Sequence, residues 1–189
     1  ILTYQVYGTL EIPELFARAR ASAHTVALWP GIDIDAATAI TLLMFIGAMG
    51  KSAQFPLHLW LPSSLFAPTP VHGLLHAGII NAGGFLINRM APLFGLCSVT
   101  LHGALVVGTV TAVLGASMML VQSDIKKTLG LSTIGQMGYM IMECGLGAFS
   151  LAVFHLIAHG LFKATVFLNC GNVIQKARVE PHFPHTGDT

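Results

Sequence analysis

The stretch 147-GAFSLAVFHLIAHGLFKATVFLNCG-171 decides the class of this chain. It is apolar and long enough to cross a bilayer, which takes about 20 helical residues. Yet it carries His155, His159 and Lys163 at four-residue intervals. Residues at i, i+4 and i+8 share one helix face. The three therefore line one stripe about 12 Å long, at a rise of about 1.5 Å per residue. Ionisable groups are costly in hydrocarbon and mark a functional path by default. The stripe predicts a membrane helix whose polar face borders protein and not lipid.

Composition agrees. The chain has 189 residues, 54% hydrophobic and 9% charged, with a mean hydropathy of +0.73. A soluble domain carries about 25% charged residues, so an integral membrane protein is the natural class. A net charge of +1 gives no basic field for nucleic acid. Cys97, Cys144 and Cys170 form no CxxC pair and lie in apolar runs, which reads them as small packing residues. The chain begins at Ile1 without a signal-peptide pattern, and is expected to be a piece of a longer polypeptide.

Residues 1–35 read as the end of a preceding helix and a polar loop. Residues 36–174 read as five transmembrane helices, Ala36–Leu57, Val71–Met90, Val99–Val121, Thr128–Gly147 and Ala148–Ile174, and 175–189 as a polar tail or loop. Short connections such as 122-QSDIKK-127 imply antiparallel neighbours in a bundle. No strand alternation stands out, which argues against a β-barrel. Gly103, Gly108 and Gly115 in the third span and Gly130, Gly135 and Gly138 in the fourth predict close helix packing. Counting Lys126, Lys127, Lys176 and Arg178 against Arg18, Arg20 and Arg89 puts the lysine-bearing loops on the cytoplasmic side.

Two further places carry ionisable groups. In 47-GAMGKSAQFP-56, Pro56 cannot donate a backbone hydrogen bond and obstructs the preceding turn. A helix broken near Lys51 is expected, and transporters use such breaks at ion sites. The other reading of Lys51 is a lysine snorkelling from a helix end. In 68-PTPVHGLLHAGIINAGGFLINRM-90, Pro70 suits a first helical turn, and His72 and His76 follow at i, i+4. His76 reads as interior, while His72 is open between the interior and the membrane interface.

Histidine changes charge near neutral pH, and titrating groups in a row feel one another's charge. Such a row, with waters between, can pass protons. Metal or haem binding is the competing chemistry, because HxxxH occurs at His72/His76 and at His155/His159. Against it, HExxH is absent, no carboxylate is expected near either pair, and Lys163 would repel a cation. A purely structural anchor is the third reading, and it leaves the stripe unexplained.

Three long strings make a resemblance specific: 50-GKSAQFPLHLWLPSSLFAPTPVHGLLHAG-78, 121-VQSDIKKTLGLSTIGQMGYM-140 and 154-FHLIAHGLFKATVFL-168. They resemble the proton-translocating antiporter-like subunits of respiratory complex I, above all the large distal subunit, and of Mrp-type sodium/proton antiporters. The resemblance covers about Thr3 to Ile174. It implies an all-α polytopic membrane protein, part of an inverted-repeat helix bundle with a broken helix near Lys51. It further implies a proton relay through Lys51, His76, His155, His159 and Lys163, with His72 and Lys126 as possible additions. The glutamate that pairs with such a lysine in the family has no match here and is expected upstream of Ile1. The second broken helix is expected downstream of Thr189.

The variants 76-HAGIINAGGFL-86 and 143-ECGLGAF-149 depart from the respiratory pattern and look more like the DabB subunits of bacterial inorganic-carbon pumps. That resemblance implies a multi-pass subunit of the bacterial inner membrane, paired with a zinc-containing, carbonic-anhydrase-like subunit, DabA. Proton flux would then drive uptake of CO2 or bicarbonate. It implies a transport subunit with no catalytic residue, metal or cofactor of its own. A complex I or Mrp subunit is the alternative, and within complex I the chain would belong to a translocase.

Overall fold

The computed structural model describes residues 1–21, 24–29, 32–64 and 68–179. Two short helices, α1 (Leu2–Tyr7) and α2 (Ile12–Ala21), come first. An antiparallel hairpin of β1 (Thr25–Trp29) and β2 (Ile32–Asp35) follows, with Thr25 opposite Asp35. The segment expected as a polar loop is therefore structured. Arg18 pairs with Glu14 at 2.5 Å one turn apart on α2, and the Thr9 hydroxyl donates to Glu14 at 2.9 Å. The Thr9 and Arg18 donors hold the Glu14 carboxyl below its ordinary range. The apolar, β-branched 25-TVALW-29 and the alternating 32-IDID-35 supply the two short strands.

Helix α3 (Ala36–Lys51) is capped by Asp35, which accepts from the Thr38 amide at 3.1 Å. It ends at Lys51, short of the expected Leu57. Ala53 adopts a φ of 49° and the Phe55–Pro56 bond is cis. Helical geometry returns in the single turn of α4 (Trp60–Ser63). The Trp60 indole donates to the Gly50 carbonyl at 3.0 Å, meeting a carbonyl that a helix end leaves unpaired.

The second span is also interrupted. Helix α5 (Thr69–Ala77) gives way to a 3-10 turn at Ile79–Asn81, and α6 (Ala82–Arg89) resumes. Asn81 donates to the Ala77 carbonyl at 2.7 Å, and the Ser52 hydroxyl donates to Ile80 at 2.6 Å. The two interruptions are thus joined. Gly83 makes that approach possible, since a Cβ there would lie 2.6 Å from the Ala48 carbonyl and against Ser52 Oγ.

The short α7 (Ala91–Phe94) leads into α8 (Ser98–Leu120), α9 (Ile125–Gly145) and α10 (Phe149–Val179). Helix α10 runs past the expected end at Ile174. The side chains of Cys170, Lys176 and Arg178, and all of residues 180–189, lie outside the described residues. Among the described residues three helices are long and apolar enough to cross a membrane: Pro70–Arg89, Ser98–Leu120 and Phe149–Asn169. Of the other two expected spans, Ala36–Lys51 is apolar but shorter. Helix α9 is less apolar because it lies among its neighbours, with Leu131, Ile134, Met137, Met140 and Ile141 buried. Lys126, Lys127, Gln136 and Glu143 lower its hydropathy further.

Helices α8 and α9 pack backbone to backbone. A Cβ on Gly108 would strike the Met142 amide, one on Gly115 would strike Gly135, and one on Gly138 would strike the Ala112 amide. Close packing at Gly108, Gly115, Gly135 and Gly138 is as expected; Gly103 has open space around its Cβ direction. Cys97 and Cys144 are buried free thiols. On the outside, α8 exposes Val99, Val106 and Val113, and α10 exposes Phe154, Leu161 and Leu168. At about 100° per residue, the α10 set lies roughly opposite the His–Lys stripe, which is therefore turned inward.

Asp124 caps α9 by accepting from the Lys127 amide at 3.1 Å. Replacing it by Ala removes the partner of a helix-end donor, with an expected cost of about 1 kcal/mol. Thermal unfolding of the detergent-solubilised protein measures this, and an unchanged midpoint would show the cap to be idle.

Candidate functional site

Three helices meet at the site. Helix α10 supplies His155, His159 and Lys163, α5 supplies His72 and His76 and packs directly on α10, and α9 meets both. On α9, Ser132, Gln136 and Glu143 fall at i, i+4 and i+11, which is one face, and that face meets the α10 stripe.

Lys163 is 1% exposed. Its ammonium donates to the Leu129 carbonyl at 2.9 Å and to the Ser132 hydroxyl, both neutral oxygens. Among the described residues no carboxylate pairs with it. A buried charge without a counter-charge is costly, and such a lysine is retained where its charge is used.

His76 is fully buried. Its Nδ1 lies 3.0 Å from the Thr133 hydroxyl, which donates in turn to the Leu129 carbonyl at 3.0 Å. His76 and Lys163 therefore converge on one carbonyl through Thr133. A carbonyl cannot pass a proton, so this link fixes position, and the Thr133 hydroxyl, donating onward, accepts from Nδ1–H. The Nε2 atoms of His76 and His159 are buried without a hydrogen-bond partner among the described residues.

Phe167 stacks on His76 with centroids 4.8 Å apart and stands edge-on to His72 at 5.0 Å. The Lys163 ammonium lies 5.9 Å from the same ring, within reach of a cation–π attraction. The rings of His72 and His76 are 4.5 Å apart. His72 is fully buried among protein atoms.

At the other end of the stripe, the ring of His155 lies 6.1 Å from that of His159. Its Nδ1 is 3.1 Å from Glu143 and its Nε2 is 3.0 Å from Gln136 Oε1. The expectation of no carboxylate near either histidine pair is thus corrected: the turn between α9 and α10 folds Glu143 back against His155. Beside the stripe runs a groove of about 490 Å³, lined by Ser132, Gln136, His155, His159, Phe162 and Lys163 among others. Among the described residues no three His, Cys, Asp or Glu converge as a metal site would require.

Lys51 and Lys126 stand apart from this group. Lys51 ends α3 with its side chain exposed, and Lys126 is half-buried in the first turn of α9. Glu143, Gln136, Ser132, Thr133 and Phe167 were not picked out by sequence. Glu143 left one signal, an acidic residue within an apolar span; the others are ordinary residues in membrane helices.

Interrupted membrane helices around an interior file of lysine and histidine define an antiporter-like membrane subunit. The chain belongs to the NADH:quinone oxidoreductase/Mrp antiporter transmembrane family, whose model matches residues 1–186. It is 55% identical, over 98% of its length, to the probable inorganic carbon transporter subunit DabB1 of Halothiobacillus neapolitanus, of which it covers 32%. It is 39% identical, over 96% of its length, to the NADH-quinone oxidoreductase subunit L of Neisseria meningitidis, covering 27% of that protein. Its fold is similar to the Mrp complex structure from Dietzia sp., with a TM-score of 0.79 and 32% identity, over 98% of this chain and 20% of that one. The chain thus spans about a third or less of these relatives. They bear out the resemblance drawn from the three strings.

Proposed function

We propose that the chain forms the middle of the proton path in a multi-pass subunit of a bacterial inner-membrane inorganic-carbon uptake complex. The observation that carries the proton path is Lys163, buried without a counter-charge at the inner end of the His155–His159 file. Its neighbours on the file are close, with the rings of His155 and His159 6.1 Å apart, and water can carry a proton between groups that do not touch. Each transfer changes the charge felt by the next group. His76 continues the file on α5, and His72 extends it towards the start of that helix. Lys51 serves as a switchable charge where α3 ends, and Lys126 as an additional cation at the head of α9.

The carbon-uptake assignment rests on the 55% identity to a probable inorganic carbon transporter subunit. The partner is then a zinc-containing, carbonic-anhydrase-like subunit driven by the proton flux, and this chain holds no cofactor of its own. The second reading, a complex I or Mrp subunit, is supported by the 39% identical relative and the Mrp fold.

The test uses the full-length protein in its complex, reconstituted in lipid vesicles with an entrapped pH dye. His159→Ala is expected to slow proton flux about 10²-fold, the lower range for a positioned proton-transfer group. Assembly should be unchanged, and wild-type flux in this variant would remove the relay. Metal analysis of the co-purifying subunit separates the readings: stoichiometric zinc supports carbon uptake, and iron–sulfur clusters support complex I.

A further inference from the structure

Glu143 is the only acidic residue within residues 36–121 and 125–174, and it faces the outermost histidine of the stripe. Both its oxygens lie within 3.2 Å of His155 Nδ1. Helix α9 ends two residues later at Gly145, and α10 starts at Phe149, six residues before His155. The pair therefore sits about 9 Å along α10 from its first residue, by the helical rise. Lys163 lies about 12 Å deeper. Exposure falls in the same direction. The His155 and Glu143 side chains are 16% and 15% exposed, while His159 and Lys163 are 5% and 1% exposed.

The hydrogen-bond accounting is specific. Glu143 offers acceptors to Nδ1, and Gln136 offers Oε1 to Nε2. Acceptors on both nitrogens suit the doubly protonated ring. Turning the Gln136 amide over would present its NH2 to Nε2 and suit the ring protonated on Nδ1 alone. The same three side chains can thus satisfy His155 in either charge state, while the carboxylate compensates the charged one.

We propose that Glu143, His155 and Gln136 form the mouth of the file, where protons are exchanged with water on the face that carries the α9–α10 turn. This rests on the relay reading. In the ring protonated on Nε2 alone, with Nε2–H donated to Gln136 Oε1, Nδ1 accepts a proton that the Glu143 carboxylate has taken from water. The imidazolium then releases its Nε2 proton towards His159, so one proton enters and one leaves. The ring left protonated on Nδ1 is the form the turned-over Gln136 amide suits, and it regains the Nε2–H form by exchange with water before the next transfer. Gln136 positions the ring and follows its charge, and Glu143 exchanges the proton.

The experiment is a flux cycle on the full-length protein in its complex, in the same vesicles. Glu143→Gln keeps the shape and removes the charge, and should slow flux about 10²-fold. Glu143→Asp should restore most of it. In a His155→Gln background, Glu143→Gln should cost nothing further, because the path through the pair is already broken. Wild-type flux in Glu143→Gln, or the same factor lost in both backgrounds, overturns the proposal. Should Glu143→Gln not assemble, nitrogen NMR of labelled histidine in the wild-type complex, assigned through His155→Gln, reads the ring directly. An imidazolium there supports the mouth, and a permanently neutral ring overturns it. Lost flux in Lys163→Ala beside wild-type flux in Glu143→Gln removes only the mouth; full flux in Lys163→Ala removes the relay itself.

Discussion

Lys163→Ala is expected to slow proton flux through the full-length complex by about 10³-fold, within the range lost when a positioned proton-transfer group is deleted. The size follows from its surroundings. Lys163 is 1% exposed and bonded only to the Leu129 carbonyl and the Ser132 hydroxyl. Neither acceptor can replace an amine that gains and loses a proton, and no other lysine among the described residues lies in the file. The truncation removes a buried charge with no carboxylate partner, so assembly should survive, as shown by co-purification of the complex. Lys163→Arg should not restore flux, because a guanidinium stays charged. Flux in Lys163→Ala within a factor of two of wild type would end the case for this residue.

Gly138→Leu is expected to abolish folding of the bundle. A Cβ at that position strikes the Ala112 amide and would lie 2.8 Å from the Gly108 carbonyl. These are backbone atoms of a neighbouring helix and cannot rotate aside. Overpacking of ordinary cores costs about 1–3 kcal/mol and sometimes more; here the whole α8–α9 seam would have to part. The measurement is the yield of monodisperse protein after detergent extraction, with Gly103→Ala as the control. Gly103 has nothing within 4 Å of its Cβ direction, so that change should be tolerated and gains up to about 1 kcal/mol of helix propensity. Equal yields from the two variants would mean the seam does not govern folding.

Much of this was legible in the sequence because the strongest signals are local. Hydropathy marks the helices, and four-residue spacing places His155, His159 and Lys163 on one face whatever surrounds it. Four of the six glycines singled out in α8 and α9 met another backbone as expected. What stayed hidden depends on partners distant in the chain. Thr133 matters because its hydroxyl meets His76, 57 residues away, and Phe167 because it fills the space between two histidines and a lysine. Glu143 joins His155 only once a short turn reverses the chain. The interruption at Gly78–Asn81 had no proline to announce it. It is maintained by Asn81 and by Ser52, a residue of the preceding segment.

The glycine seam also bears on how the protein reaches the bilayer. Helix α8, with a hydropathy of 1.9, can partition on its own, whereas α9 carries two lysines, a glutamine and a glutamate and gains little from leaving water alone. Only four residues, 121–124, separate Leu120 at the end of α8 from Ile125 at the start of α9. The two are therefore expected to insert together, as a hairpin in which α8 carries its less apolar partner. A mutation in the seam would then show itself during synthesis, as a topology error with α9 left on the wrong side of the membrane, before any proton has been moved.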